Sequence, residues 1–132
     1  MAPPGADRDT RARGREIEAR VAEHLRARGH SIVAINVELA HAELDIVARD
    51  DDASEPTIVF VEVRGRSDDV LGHPSETIDA DKRGRIIRGA TAWLVANELW
   101  ERTAVRFDVI TVLGPDPATA TIEWLRGAFE TR

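Results

Sequence analysis

The sequence predicts an α/β domain in which one central, mixed β-sheet is flanked by α-helices. Three observations support this class: a helical pattern opens the chain, three strand-like segments follow it, and a second helical pattern precedes one or two further strands. Helices and strands in this order fit best on one sheet with helices packed against it. A chain of 132 residues is sufficient for one such domain with its own core.

Residue periodicity locates each element. Ile17, Val21 and Leu25 recur every four positions and predict an amphipathic helix over 11–28, ended by Gly29. Residues 1 to about 10 lack this pattern and are expected to form a disordered tail, which leaves a single domain over 11–132. Apolar alternation and β-propensity predict strands over 31–37, 43–48, 57–64, 107–113 and 121–125, a second helix over 79–99, and a loop with Gly65, Gly72 and Pro74 before that helix.

Composition and charge exclude several classes of site. The chain has no cysteine, so it can form neither a disulfide nor a thiolate metal site. Its four histidines show no ligand-like spacing, which argues against structural zinc. A net charge of −6 argues against a protein that coats nucleic acid by charge alone. No apolar run reaches transmembrane length or resembles a signal peptide, so we expect a cytoplasmic protein without membrane contact.

Charged residues on two predicted strands form the candidate site. Side chains at i and i+2 share a strand face, so Glu62 and Arg64 lie together, and Asp45 lies on the preceding strand. If these strands pair as a hairpin, Asp45 and Glu62 approach each other and repel unless a cation lies between them. Mg²⁺ or Mn²⁺ meets that demand and can promote phosphodiester cleavage, with Arg64 stabilising phosphate charge.

The same residues resemble the PD-(D/E)xK, or restriction-endonuclease-like, nuclease superfamily. More closely, residues 14–129 resemble the bacterial YraN-type family, which is related in fold to archaeal Holliday-junction resolvases. The resemblance implies a restriction-endonuclease-like fold and a metal-dependent DNA endonuclease, with structure-specific enzymes and homodimers among its relatives. It rests on an ordered series of matches: Glu18, Ala22, Leu25 and Gly29; Asn36; Glu43 to Val47; Phe60 to Arg64 and Arg66; Gly72; Lys82; Ala90 and Leu94; and Arg106 to Val109.

The chain departs from the family pattern at three positions. Ile17 and Ala42 stand where the family usually has glycine, and small backbone adjustments can absorb both changes. Arg64 stands where the family usually has the lysine of its Glu-x-Lys motif. Arginine keeps the positive charge but cannot give up a proton at ordinary pH, so Arg64 cannot act as a general base. A role in charge stabilisation remains open to it.

Other charged residues have a functional and a plain interpretation. By the resemblance, Glu18 reaches the metal site; alternatively it is a surface charge. Glu43 shares a strand face with Asp45 and is a second or alternate ligand, or only a neighbour. Arg66 and Lys82 contact the phosphate backbone of nucleic acid, or belong to a solvated basic face.

Two further functions compete with the endonuclease. One is a non-catalytic nucleic-acid-binding protein that keeps the fold and has lost efficient chemistry, as Arg64 and the acidic balance suggest. The other is a domain whose carboxylates bind a metal only for stability. The residues themselves predict Asp45 and Glu62 as metal ligands and Arg64 as a further catalytic residue. The resemblance implies DNA as the partner and adds Glu18 to the catalytic residues.

Overall fold

The structure is a computed structural model that describes residues 4–66 and 78–130, with side chains over 12–65 and 78–130. It confirms the predicted class, because a five-stranded mixed sheet lies between two helices, as in a restriction-endonuclease-like fold. In chain order the elements are α1 (Pro4–Ala27), β1 (His30–Leu39), β2 (Ala42–Asp50), β3 (Thr57–Arg66), α2 (Ala80–Ala96), β4 (Ala104–Leu113) and β5 (Thr121–Phe129).

The strands lie in the sheet in the order in which they occur in the chain. Neighbouring strands are antiparallel except β3 and β4, which are parallel. A parallel pair needs a long crossover, and α2 lies in that connection. The β1–β2 turn is tight: Ala40 and His41 both have left-handed backbones, with φ of 54° and 57°, as a two-residue hairpin turn requires.

The two helices cover opposite faces of the sheet and form two cores. Val59 and Val61 point toward α1, whereas Phe60 points toward α2, as the alternation in the sequence predicts. The first core includes Ile17, Val21, Leu25, Ile46, Ala48, Val59, Val61, Ile110 and Val112. The second includes Leu44, Val47, Ile58, Phe60, Ile86, Ala90, Trp93, Leu94 and Phe107. Neither of the helices described has the length and apolar character needed to cross a membrane.

The ends of the helices differ from the predicted ones. α1 begins at Pro4 and so extends into the segment for which a disordered tail was expected; proline fits the first turn of a helix, where its missing N–H costs nothing. α2 ends at Ala96, because Glu98 adopts a left-handed φ of 59° and the N–H of Leu99 donates to the carbonyl of Leu94 at 2.8 Å. The expected loop with Gly72 and Pro74 falls mostly in residues 67–77, outside the described residues.

Ile17 and Ala42, two of the three residues that depart from the family pattern, each lie against a glycine. A Cβ atom added to Gly65 would lie 2.6 Å from Cδ1 of Ile17, and one added to Gly89 would lie 2.9 Å from Cβ of Ala42. Real Cβ contacts are longer than either distance. The larger residues at 17 and 42 are thus accommodated by glycines on the facing elements, β3 and α2.

A second polar cluster lies on the α1 face and is structural. Arg106 donates two hydrogen bonds to Asp108, at 2.9 and 3.0 Å, and one to Asp50 at 2.7 Å. Asp108 also accepts from Nε1 of Trp124 at 2.9 Å, and His30 lies 3.0 Å from Arg106. Burial alone would raise the pKa of Asp50, but its hydrogen bond from Arg106 holds that pKa below the ordinary value. The cluster therefore joins strands β1, β2, β4 and β5.

Candidate active site

The site lies where β2 and β3 stop pairing. Their antiparallel register runs from Asp50↔Thr57 to Ile46↔Val61, while β3 continues beside β4 as far as Arg66. Asp45 and Glu62 are the next residue on each strand. The N–H of Val63 donates to Oδ2 of Asp45 at 2.8 Å, so the carboxylate itself satisfies a backbone donor at this fork.

Asp45 and Glu62 form a closely coupled pair of carboxyl groups. The Glu62 side chain is only 9% exposed, and Asp45 is half-buried. Burial is the largest cause that raises the pKa of Asp45 to about 7; the charge of Glu62 and a hydrogen bond to it act in the same direction, and the Val63 N–H opposes them. The pair therefore tends to hold a proton near neutral pH and favours a cation in its place.

Lys82 supplies a positive charge to this pair. Its Nζ atom lies 2.5 Å from Oε1 of Glu62. The first turn of α2 fixes its backbone, because the side chain of the N-cap residue Asp79 accepts from the N–H of Lys82 at 2.8 Å. The sequence predicted Lys82 only as a phosphate contact. Its contact with Glu62 depends on how α2 packs on the sheet, which local patterns do not reveal.

An open cleft of about 340 Å³ lies over the pair. It carries both signs of charge, with acidic groups from the strands and basic groups from the first two turns of α2. Arg85, one turn after Lys82, is a lining residue that the sequence analysis did not single out; its i+3 spacing from Lys82 is the signal that could have found it. The charged or titratable lining residues are His41, Glu43, Asp45, Glu62, Lys82 and Arg85.

The other predicted site residues lie at different distances from the pair. Nδ2 of Asn36 donates to Oε2 of Glu18 at 2.8 Å, and the β2 partners of Ile35 and Val37 are the two residues that flank Asp45. Glu18 is thus linked to the neighbouring strand, and its expected approach to the carboxylate pair stays a prediction. Glu43 is exposed in the cleft, and its charge contributes to the raised pKa of Asp45.

The two arginines of β3 follow Glu62. Arg64 is half-buried and lies on the strand face of Glu62, two residues farther along β3. The side chain of Arg66 is outside the described residues, so its expected phosphate contact stays a prediction.

The two carboxylates suit an ion such as Mg²⁺, which keeps bound waters, better than an ion whose ligands all come from the protein. Over 4–66 and 78–130, no three His, Asp or Glu side chains gather in a group that could hold a metal. Two adjacent carboxylates are nevertheless enough for Mg²⁺, which usually keeps several waters and takes one or two carboxylates from the protein. The convergence of Asp45 and Glu62 and the raised pKa of Asp45 are the features that match such an ion.

Comparison with known proteins gives one consistent family. The family model described as "Uncharacterised protein family UPF0102" matches residues 17–112, a range that contains Glu18, Asp45, Glu62, Arg64 and Lys82. A UPF0102 protein of Chromohalobacter salexigens is 41% identical over 125 residues, which cover 95% of this chain and 96% of the relative. UPF0102 proteins of Vibrio cholerae and Pseudomonas aeruginosa are each 37% identical, covering 92% and 94% of this chain and 94% and 98% of the relatives.

Proposed function

The chain belongs to the protein family UPF0102, and we propose that it is a divalent-metal-dependent DNA endonuclease of the restriction-endonuclease-like superfamily. The observation that carries this proposal is the convergence of Asp45 and Glu62 at the β2–β3 fork, where burial and mutual repulsion raise the pKa of Asp45. Such a pair does not stabilise the fold by itself, because both carboxyl groups lose hydration and repel each other when ionised. Metal-assisted hydrolysis would explain why the two carboxyl groups lie next to each other.

Asp45 and Glu62 would hold Mg²⁺ or Mn²⁺, and the ion would supply the Lewis acidity that activates water and neutralises phosphate charge. Asp45 must be ionised to bind the ion, so the affinity of the metal-free protein for Mg²⁺ should increase as pH rises toward the pKa of about 7 of this carboxyl group. Glu18, which is linked to β1 through Asn36, would be a further acidic group of the site.

The basic residues of the site would bind the substrate. Arg64 keeps its charge at all working pH values, so it can hold a phosphate and stabilise developing charge but cannot accept a proton. We expect Lys82 and Arg66 to contact the phosphate backbone of the nucleic acid. We expect DNA as the substrate, with branched structures cut in preference to plain duplex, and a homodimer where two strands are cut symmetrically.

Arg64 in place of lysine favours one second candidate, a nucleic-acid-binding protein that has lost efficient cleavage. In that case DNA would bind with a steep salt dependence and would not be cut with any divalent ion. An Arg64→Lys variant would then gain substantial cleavage.

A cleavage assay separates the two candidates. The purified chain is incubated with four-way junction, flap, single-stranded and duplex DNA, with Mg²⁺, with Mn²⁺ or with EDTA. We expect cleavage only with a divalent ion, and a loss of at least about 100-fold in Asp45→Asn and Glu62→Gln, because each removes a ligand. Glu55→Gln, an exposed carboxylate on the β2–β3 turn, is the matched control. Cleavage that survives in Asp45→Asn contradicts the assignment.

A further inference from the structure

Lys82 is the only lysine of the chain, and every other member of the 18 Lys and Arg residues is arginine. In such a composition, a lysine at one position is informative. Lysine differs from arginine in carrying a compact, strongly hydrated ammonium on a flexible stem, rather than a planar fork that binds carboxylates in pairs. The position that keeps lysine is the one that contacts the buried acid of the candidate site.

The backbone of Lys82 is fixed, whereas its ammonium group can move. The Asp79 cap holds the backbone of Lys82 in the first turn of α2. The ammonium, by contrast, lies at the open side of the cleft: the Lys82 side chain is 38% exposed, whereas Glu62 is 9% exposed. The side chain can therefore leave Glu62 and stay in the cleft without any change in the helix.

Binding of a metal would change the charge around Glu62 and so release the ammonium of Lys82. Without a metal, the ammonium of Lys82 lies against Glu62 and neutralises its charge. A divalent ion on Asp45 and Glu62 would take over that neutralisation and repel a neighbouring positive charge. Arg85 lines the same cleft and keeps its positive charge, while Glu43, the other acidic residue of the lining, is exposed to solvent. A phosphate of the substrate that enters the cleft would therefore be a partner for the released ammonium.

We infer that Lys82 is an exchangeable counter-ion, which binds Glu62 in the metal-free protein and moves to a phosphate of the bound nucleic acid when the metal site is filled. The inference rests on the proposed function. It gives Lys82 a catalytic role beside Arg64, because the released ammonium would contact a phosphate of the substrate. No covalent step is assigned to it.

The single lysine makes the exchange measurable without any cleavage. Lys82 is labelled with an amine-reactive acetylating reagent, and its modification is quantified by mass spectrometry against the α-amine of the same chain. In the wild type we expect Mg²⁺ to raise Lys82 labelling several-fold over EDTA, since the ammonium is released from Glu62. Asp45→Asn should show low labelling that does not respond to Mg²⁺, and Glu62→Gln should show high labelling in EDTA already.

Failure of this inference is distinct from failure of the proposed function. If Mg²⁺ raises the melting temperature of the wild type but not of Asp45→Asn, and Lys82 labelling still does not change, the exchange is wrong and the metal site stands. If Mg²⁺ has neither effect, the metal site itself is wrong.

Variants at position 82 give a second readout. Lys82→Gln removes the competing cation, so its Mn²⁺ affinity should equal or exceed that of the wild type while cleavage falls at least tenfold. A residue that only supports the fold would lower both quantities. Arg83→Gln, an exposed neighbour on the same turn of α2, controls for the lost charge. Equal cleavage by Lys82→Gln and wild type would overturn the inference.

Discussion

At the scale of single residues, the site depends on where each positive charge lies. Arg64 occupies the motif position that lysine usually takes, while Lys82, from a different element, lies 2.5 Å from Glu62. Asp45 and Glu62 could be predicted because strand alternation is a local property that shows in the sequence. The Lys82–Glu62 contact could not, because the two residues are brought together only by the packing of α2 on the sheet. His30 is also buried through contacts that a local pattern does not show, with Arg106 and Trp124 on the α1 face.

The raised pKa of Asp45 predicts a specific pH dependence of stability. Asp45 has an ordinary pKa of 3.8 and a folded value of about 7, so between these values the folded state holds more protons than the unfolded state. Its contribution to the free energy of unfolding is therefore full below the ordinary pKa and is lost as pH rises toward about 7. Asp45→Asn should remove this loss.

Urea unfolding in EDTA at several pH values measures the effect. From pH 4 to pH 8, we expect the stability of Asp45→Asn relative to the wild type to increase by roughly 1–3 kcal/mol. Glu16→Gln, which alters an exposed carboxylate on α1, should keep a nearly constant difference across the range. A flat difference for Asp45→Asn as well would show that Asp45 does not titrate near neutral pH.

At the scale of elements, the sequence predicted each helix and strand that the structure describes, but not where and how these elements end. Periodicity identifies the interior of an element, because each turn or pleat repeats the same burial. The ends depend on single-residue conformations such as the left-handed backbone of Glu98, which ends α2 before Leu99. The fork between β2 and β3 is another such end. It leaves Asp45 beyond the paired stretch, where its carboxylate reaches the Val63 N–H.

The contact between α2 and β2 predicts a rescue by paired substitution. Glycine to alanine within a helix normally adds about 1 kcal/mol of stability. In Gly89→Ala the new Cβ would lie 2.9 Å from Cβ of Ala42, so we expect destabilisation instead. Combining it with Ala42→Gly should restore most of the loss. Gly84→Ala, where the added Cβ meets nothing within 4 Å, is the matched control on the same helix and should stabilise the protein.

A double-mutant cycle in urea measures this coupling between α2 and β2. We expect a favourable interaction of about 1 kcal/mol or more between the two substitutions. Independent, additive effects would show that the helix and the hairpin do not approach as closely as the structure has them.

At the scale of the whole molecule, the sheet separates two groups of charges. The Arg106 cluster lies on the α1 face and joins β4 to β2, β1 and β5 through Asp50, His30 and Trp124. Asp45, Glu62 and Lys82 line an open cleft on the α2 face. The sequence predicted one sheet with two helices but not the strand order, because pairing partners far apart in the chain leave no local pattern. The expected homodimer depends on surface complementarity between two chains and stays a prediction.

The position of a bound metal tests the proposed site most directly. Crystals of the protein are soaked in Mn²⁺, and anomalous scattering is used to locate the ion. We expect one strong peak at roughly 2.1 Å from carboxylate oxygens of both Asp45 and Glu62. The ammonium of Lys82 should have moved away from Glu62. Mn²⁺ that supports DNA cleavage but binds elsewhere, with Lys82 still on Glu62, would contradict the proposed site.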